Sequence, residues 1–337
     1  MKIVQIMATD GGKIGGLEKH TFQLCAELSE KQEVHLFLDL NYRNEIPKLE
    51  HLHCHYFDFS KGRMNIGLLY SLFKEIGKIG PDIVHSQGGK ASKILSFLIP
   101  FLKVPSVATI HGMKNNMRSY RHFNEVITVS QAVGDKAREY RPVHVIYNGV
   151  AQEKSLTDDI PRTNLKKAIA IGRLDPVKGF DRLIEAWQGL EAQLEILGEG
   201  PEHENLSQLI KDLHLQDKIK LVGYQQDIYP YLAASDLVVV SSLREGGPLI
   251  VAEALLVHKP VIATDVGMVR EFIPEKYIAK DNTVLEIKKL IKVASENFEY
   301  IQYEFKPAFD KAEAELSLNA MVNKTLDIYK LALRQQR

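Results

Sequence analysis

Short β-branched apolar runs alternate along the chain with stretches whose apolar residues recur every three to four positions. The first pattern predicts buried strands and the second predicts helices with one face on a core. Through residue 150 the strand-like runs are KIVQIMA, EVHLFLDL, LHCHYFDF, DIVHS, SVATIHG, EVITVS and HVIYNGV. Helical patterns lie between most of them, as in GLEKHTFQLCAELSE (16–30) and NIGLLYSLFKEIGKI (65–79). The segment 151–167, AQEKSLTDDIPRTNLKK, is polar and without apolar period, and reads as a linker. The alternation then restarts with AIAIGRL, LEILGEG, IKLVGY, DLVVVSS, PVIATDVG and KYIA, and Ser317–Leu333 closes the chain as an amphipathic helix.

Repeated strand–helix–strand units imply parallel sheets covered on both faces. The expected fold is therefore α/β: two doubly wound, Rossmann-like domains facing across a cleft. The pattern divides them into 1–150, a linker at 151–167, 168–305 and a C-terminal segment 306–337. Ligands of such sheets bind outside the carboxyl ends of the strands, so the shared site is expected in the cleft.

A hydrophobic fraction of 45% and a charged fraction of 26% are ordinary for a soluble globular protein. The opening MKIVQIMA reads as a first strand rather than a signal peptide. The apolar run ILSFLIPFL (94–102) is too short to cross a bilayer. Two cysteines, Cys25 and Cys54, give no disulfide framework, and a reducing cytoplasm is expected. Net charge is zero, yet residues 1–150 hold 19 Lys and Arg against 14 Asp and Glu, and nine of the twelve histidines. This +5 half points to an anionic partner on that side, with chance variation between halves as the alternative. No nucleic-acid partner is expected.

The residues that carry chemistry fall just after strands. ATDGGKIGGLEKH (8–20) puts Gly11, Gly12, Gly15 and Gly16 before the first helix, as a phosphate approach or as a tight turn. It fits neither G-x-G-x-x-G nor a Walker loop. In IGRLDPVKGF (171–180), Arg173 offers a planar fork and Lys178 a point charge, together suited to a diphosphate. Two solvated cations on a loop would look the same. The chain has no D-x-D to anchor Mg²⁺ or Mn²⁺, so protein cations would have to replace a metal. In SSLREGGPLIVAEALLVHKPVIAT (241–264), Glu245 sits on a strand-to-helix loop, Pro248 suits a first helical position, and Glu253 faces out of the second turn. Gly246 and Gly247 leave the helix start at Pro248 and Leu249 open to phosphate. The two carboxylates then accept hydrogen bonds from vicinal hydroxyls, Glu245 from a sugar and Glu253 from a ribose. His111, at the end of SVATIHG, is either structural or a contact to the sugar. HLHCHY (51–56) places His51, His53 and His55 in alternation, but no carboxylate or Cys cluster completes a metal site there. A polar edge strand accounts for it, and no metal is expected.

Together these stretches resemble the retaining glycosyltransferases of family 4, with the GT-B fold. The resemblance rests on GG at 15–16, TIHG at 109–112, VS at 129–130, NGV at 148–150, GRLDPVKG at 172–179, LGEGP at 197–201 and EGGPLIVAEAL at 245–255. It implies that Arg173 and Lys178 hold the diphosphate, Glu253 the ribose and Glu245 the donor sugar, with His111 beside the reacting centre. It also implies an acceptor-binding N-terminal domain, a nucleotide-binding C-terminal domain and a final helix that crosses back. Gly247, Tyr147 and Gln87 depart from the family pattern, which bears on the donor sugar and pocket shape rather than on the reaction class.

The expected reaction is transfer of a hexosyl group from a nucleoside diphosphate sugar, UDP-sugar favoured, with retention and without metal or other cofactor. The expected acceptor is a glycan or glycolipid of cell-envelope polysaccharide or lipopolysaccharide synthesis. A nucleotide-sugar 2-epimerase and a catalytically silent nucleotide-sugar-binding protein are the alternatives. The cations Lys61, Arg63, Lys103, Lys114, Arg118 and Arg121, with the apolar FLIPFL (97–102), also suggest contact with an anionic membrane surface, unless FLIPFL is only the core face of a helix.

Overall fold

The computed structural model describes residues 1–11, 14–43, 46, 48–113, 116–151 and 163–335. Two compact units emerge, Met1–Val150 with Ser317–Arg337, and Ala151–Leu316. Gly12, Lys114 and most of the segment read as a linker (152–162) lie outside the described residues.

In the first unit, β1 (Lys2–Met7), β2 (Glu33–Asp39), β3 (Leu52–Phe57), β4 (Ile83–Gln87), β5 (Ser106–Ile110), β6 (Glu125–Thr128) and β7 (His144–Val145) form one sheet. Its order is β3-β2-β1-β4-β5-β6-β7 and every pairing is parallel. β1, β2, β4, β5 and β6 are buried almost throughout because both faces are covered. α2 (Ile66–Ile79) and α3 (Gly88–Leu98) cover one face, over Val4, Phe37, Leu72, Val84, Ile94 and Ala108. The other face packs under α1 (Gly16–Ser29) and the last helix, over Ile3, Leu24, Leu36 and Ile83. α4 (Gln131–Ala137) joins β6 to β7, capped by Ser130, whose Oγ accepts from the Val133 N–H at 3.2 Å.

The second unit repeats the plan with β8 (Lys167–Ile171), β9 (Gln193–Leu197), β10 (Ile219–Gly223), β11 (Leu237–Val240), β12 (Val261–Thr264) and β13 (Ile278–Ala279), in the order β10-β9-β8-β11-β12-β13. Its helices are α5 (Phe180–Ala186), α6 (His203–Asp212), α7 (Tyr229–Ala234), α8 (Leu249–Leu256), α9 (Val269–Phe272), α10 (Val284–Glu296) and α11 (Phe298–Glu315).

Three expectations need correction here. Residues 306–315 are the second half of α11 and belong to the second unit. The chain returns only at Ser317, whose extended backbone and side chain cap α12 (Leu318–Arg334) by accepting from the Ala320 N–H. α12 then buries Met321, Val322, Ile328, Tyr329 and Ala332 against the first sheet. FLIPFL divides: Leu98 joins the core, whereas Phe101 is 71% exposed. Finally, His51 precedes β3, so only His53 and His55 share a strand face, on the edge of the sheet. The missing carboxylate near them comes from β2, where Glu33 lies beside His35.

Candidate active site

On the second unit, the chain order reverses between β8 and β11, which are neighbours in the sheet. Such a switch point opens a crevice at the strands' carboxyl ends. The loops that follow these two strands carry Arg173, Lys178 and Glu245. Asp175 starts a 3₁₀ turn over Pro176–Lys178 by accepting from the Val177 N–H at 3.0 Å. Gly179 ends it at φ +63°, where a Cβ would stand 2.3 Å from the Ser241 carbonyl oxygen. Only glycine tolerates both that backbone and that approach. The second loop is tied down by the Leu243 N–H, which donates to the Val177 carbonyl at 2.8 Å, and by Ser241 Oγ, which donates to the Lys178 carbonyl at 2.9 Å.

These ties bring Lys178 Nζ to 2.5 Å from Glu245 Oε1, which also accepts from Ser242 Oγ at 2.9 Å. Arg173 is mostly exposed, its Nε 4.0 Å from Asp175 Oδ2, so its fork is only loosely engaged. Behind it, the Glu199 carbonyl accepts from the Leu174 N–H at 2.9 Å. At Gly198, φ +139°, an added Cβ would fall 1.9 Å from the Gly172 carbonyl oxygen, so LGEGP is the backing of the Arg173 loop.

Pro248 caps α8 in an extended conformation and is not its first helical residue; Leu249 is. Gly246 packs its carbonyl near Gly267, and Gly247 completes the turn before Pro248. Glu253 does not face out. It is 4% exposed, because Ile250–Leu256 is buried on every side with α8 packed on α11. A carboxylate at that depth is costly unless hydrogen-bonded.

On the first unit, the order reverses between β1 and β4. Gly15 caps α1, and its N–H donates to Glu18 Oε2 at 3.0 Å, so a donor expected to meet phosphate is engaged within the helix start. Gly16 is exposed at the first position of α1. His111 follows β5. Its Nε2–H donates to Gln87 Oε1 at 2.8 Å, an arrangement that leaves Nδ1 as the basic nitrogen. Gln87 Nε2 donates in turn to Gln5 Oε1 at 3.0 Å, and Gln5 Nε2 to the Tyr329 hydroxyl at 2.8 Å. That hydroxyl donates to His85 Nδ1 at 2.7 Å, and the opposite nitrogen of His85 meets Thr109 Oγ1 at 2.8 Å. The ring of His20 stands edge-on to His111, centroids 4.6 Å apart. Burial lowers the pKa of His85 to about 3, and that of His20 to about 4 against an opposing hydrogen bond from Asn148. The row of Gln87, Gln5, Tyr329 and His85 behind His111 is thus neutral. Gln5, His20, His85 and Tyr329 escaped the sequence reading; the one visible signal was the polar run His85, Ser86 and Gln87 that ends a buried strand.

The comparisons with known proteins agree with this architecture. The sequence model for Glycosyltransferase Family 4 matches residues 14–154, and that for Glycosyl transferases group 1 matches residues 153–302. An uncharacterized glycosyltransferase of Methanocaldococcus jannaschii is 25% identical over 82% of this chain and 84% of its own. The lipopolysaccharide core biosynthesis glycosyltransferase LpsE of Rhizobium meliloti is 24% identical over 75% of this chain and 76% of its own. Among solved structures, Anabaena HepE in complex with UDP and glucose superposes with a TM-score of 0.80 at 20% identity, covering 98% of this chain and 99% of that one. With two consecutive models matched and both sheets in place, the chain belongs to the GT-B glycosyltransferases of the family 4 type.

Proposed function

We propose that this glycosyltransferase moves a hexosyl group from a UDP-sugar, with retention and without a metal, onto a glycan or lipid-linked acceptor of envelope or lipopolysaccharide synthesis. The observation that carries the reading is the Lys178–Glu245 pair beside the loosely held Arg173 at the β8/β11 switch point. The UDP and glucose of HepE and the lipopolysaccharide role of LpsE support the donor and acceptor classes. An arriving diphosphate competes for Lys178, releases Glu245 to accept sugar hydroxyls, and takes bidentate bonds from Arg173. Glu253 holds the ribose. His111, fixed by Gln87, contacts the sugar, and the leaving phosphate accepts the proton of the hydroxyl attacking on the same face.

Glu245→Ala separates these roles. Transfer should fall severely, while UDP affinity by calorimetry should hold or tighten because Lys178 is no longer neutralised. A parallel loss of UDP binding would move Glu245 to the nucleotide. UDP release that needs no acceptor would favour the epimerase alternative.

The acceptor side carries an exposed apolar strip. Ile66 (82% exposed), Tyr70 and Phe73 recur along one side of α2, with Met64 before it and Phe101 after α3. Lys61, Arg63 and Lys103 neighbour these residues in the chain, and Arg118 and Arg121 lie in the turn Arg118–His122 that packs on α3. No helix among the described residues is long and apolar enough to cross a membrane. Such a strip with cations suits an anionic interface, at about 1 kcal/mol per cation near the surface. The protein should sediment with phosphatidylglycerol vesicles at low salt and be released by high salt. Absence of binding at low salt would leave a soluble acceptor.

A further inference from the structure

A second cluster lies at the opposite, amino-terminal ends of β2 and β3. The parallel register pairs His35 with His53 and Phe37 with His55, so three imidazoles share the sheet face under α2. Glu33, the first residue of β2, brings Oε1 to 3.0 Å from His35 Nε2, and Glu75 of α2 brings Oε1 to 3.3 Å from His55 Nδ1. Between them His35 Nδ1 and His55 Nε2 are 2.9 Å apart. Lys2 Nζ stands 3.5 Å from Glu33 Oε1 and Lys78 Nζ 3.9 Å from Glu75 Oε1.

Each of the three close approaches in the row Glu33, His35, His55, Glu75 needs one hydrogen to avoid facing lone pairs. Two neutral imidazoles bring only two. The row is therefore one positive charge short, which a third proton or a metal ion would supply. A divalent ion at Glu33 and His35 Nε2 completes it: His35 Nδ1–H then donates to His55 Nε2, and His55 Nδ1–H to Glu75. That is the outer-sphere arrangement that fixes the tautomer of a metal-bound histidine.

We infer that Glu33, His35 and His53 form a zinc site, with His55 and Glu75 as its positioning residues. The ligand atoms of the three lie within 4.8 Å of one another. A closed tetrahedral shell with bonds of 2.0–2.1 Å needs about 3.3 Å, a difference that rotation of the exposed His53 removes. Two histidines, one carboxylate and an open position for water suit Zn²⁺ better than the harder Mg²⁺ or Ca²⁺. The ion would clip edge strand β3 to β2, at the end of the sheet away from His111.

Zinc titration of metal-stripped protein against a chromophoric chelator tests this. One equivalent per chain should bind at micromolar concentration or tighter and raise the melting temperature. His53→Ala and Glu33→Gln should each weaken uptake by about 10- to 100-fold and remove the thermal shift, whereas His122→Ala, outside the cluster, should change neither. No uptake by the wild type, or uptake by His53→Ala equal to wild type, overturns the site.

Discussion

Lowering the pH from 7 to 4.5 should unfold the first unit while the second stays folded. His20 and His85 have folded pKa values of about 4 and about 3, both depressed by burial. In the unfolded chain they return to about 6.5. Depressed histidine pKa values mean that the unfolded state takes up protons first. The stability they contribute is complete above pH 6.5 and is lost progressively below it. At pH 4.5 each costs roughly 2–3 kcal/mol, and together they approach the total stability of a small domain. The single tryptophan, Trp187, is buried in the second unit and reports on that unit alone. Far-UV circular dichroism should therefore change near pH 5 with Trp187 emission still native. His85→Gln, which removes a titrating group, should flatten the pH dependence. A first transition only below pH 4, in the carboxylate range, would remove the buried histidines as its cause.

Replacing Arg173 with alanine should lower kcat by about 30- to 1,000-fold, the 2–4 kcal/mol typical of a lost donor to a developing anion. Arg173 is mostly exposed and only loosely paired with Asp175, so its removal should leave the melting temperature within about 1 °C of wild type. If Arg173 and Lys178 carry the diphosphate charge as proposed, transfer by the wild-type protein should survive EDTA. Abolition by EDTA with rescue by Mg²⁺ would assign that charge to a metal. A loss of stability in Arg173→Ala matching its loss of rate would make the residue structural.

Among the described residues most strands lie wholly within runs legible in the sequence, and β4, β8 and β9 overrun theirs by one residue each, because strands covered on both faces are built around β-branched and apolar residues. The donor loops were legible for the same reason: they follow those runs, and Arg173, Lys178 and Glu245 are charged residues with no core to fill. What stayed hidden depends on contacts far apart along the chain. Glu253 reads as an outward residue because VAEALL does not reveal that α8 is enclosed on every side. Tyr329 meets Gln5 across 324 positions, and His35 meets His55 only through a strand register that no local pattern specifies. The end of the second unit was placed eleven residues early, at 305 rather than 316, because α11 and α12 are both amphipathic and only Leu316 and Ser317 separate them.

The first unit is written in two instalments. Its chain leaves at Val150 and comes back at Ser317, where the two are bridged and the Leu318 N–H donates to the Val150 carbonyl at 3.0 Å. During synthesis the second unit, one uninterrupted run, has every residue it needs before the first does. Until α12 leaves the ribosome, Ile3, Leu36 and Ile83 lie under an incomplete cover and Tyr329 is missing from the row that orients His111. A chain cut between Leu316 and Tyr329 thus keeps the second unit entire and lacks the hydroxyl that stands behind Gln5, Gln87 and His111. The order of translation makes Tyr329 the condition for a complete hydrogen-bonded row behind His111, so chains that stop before it are left without one.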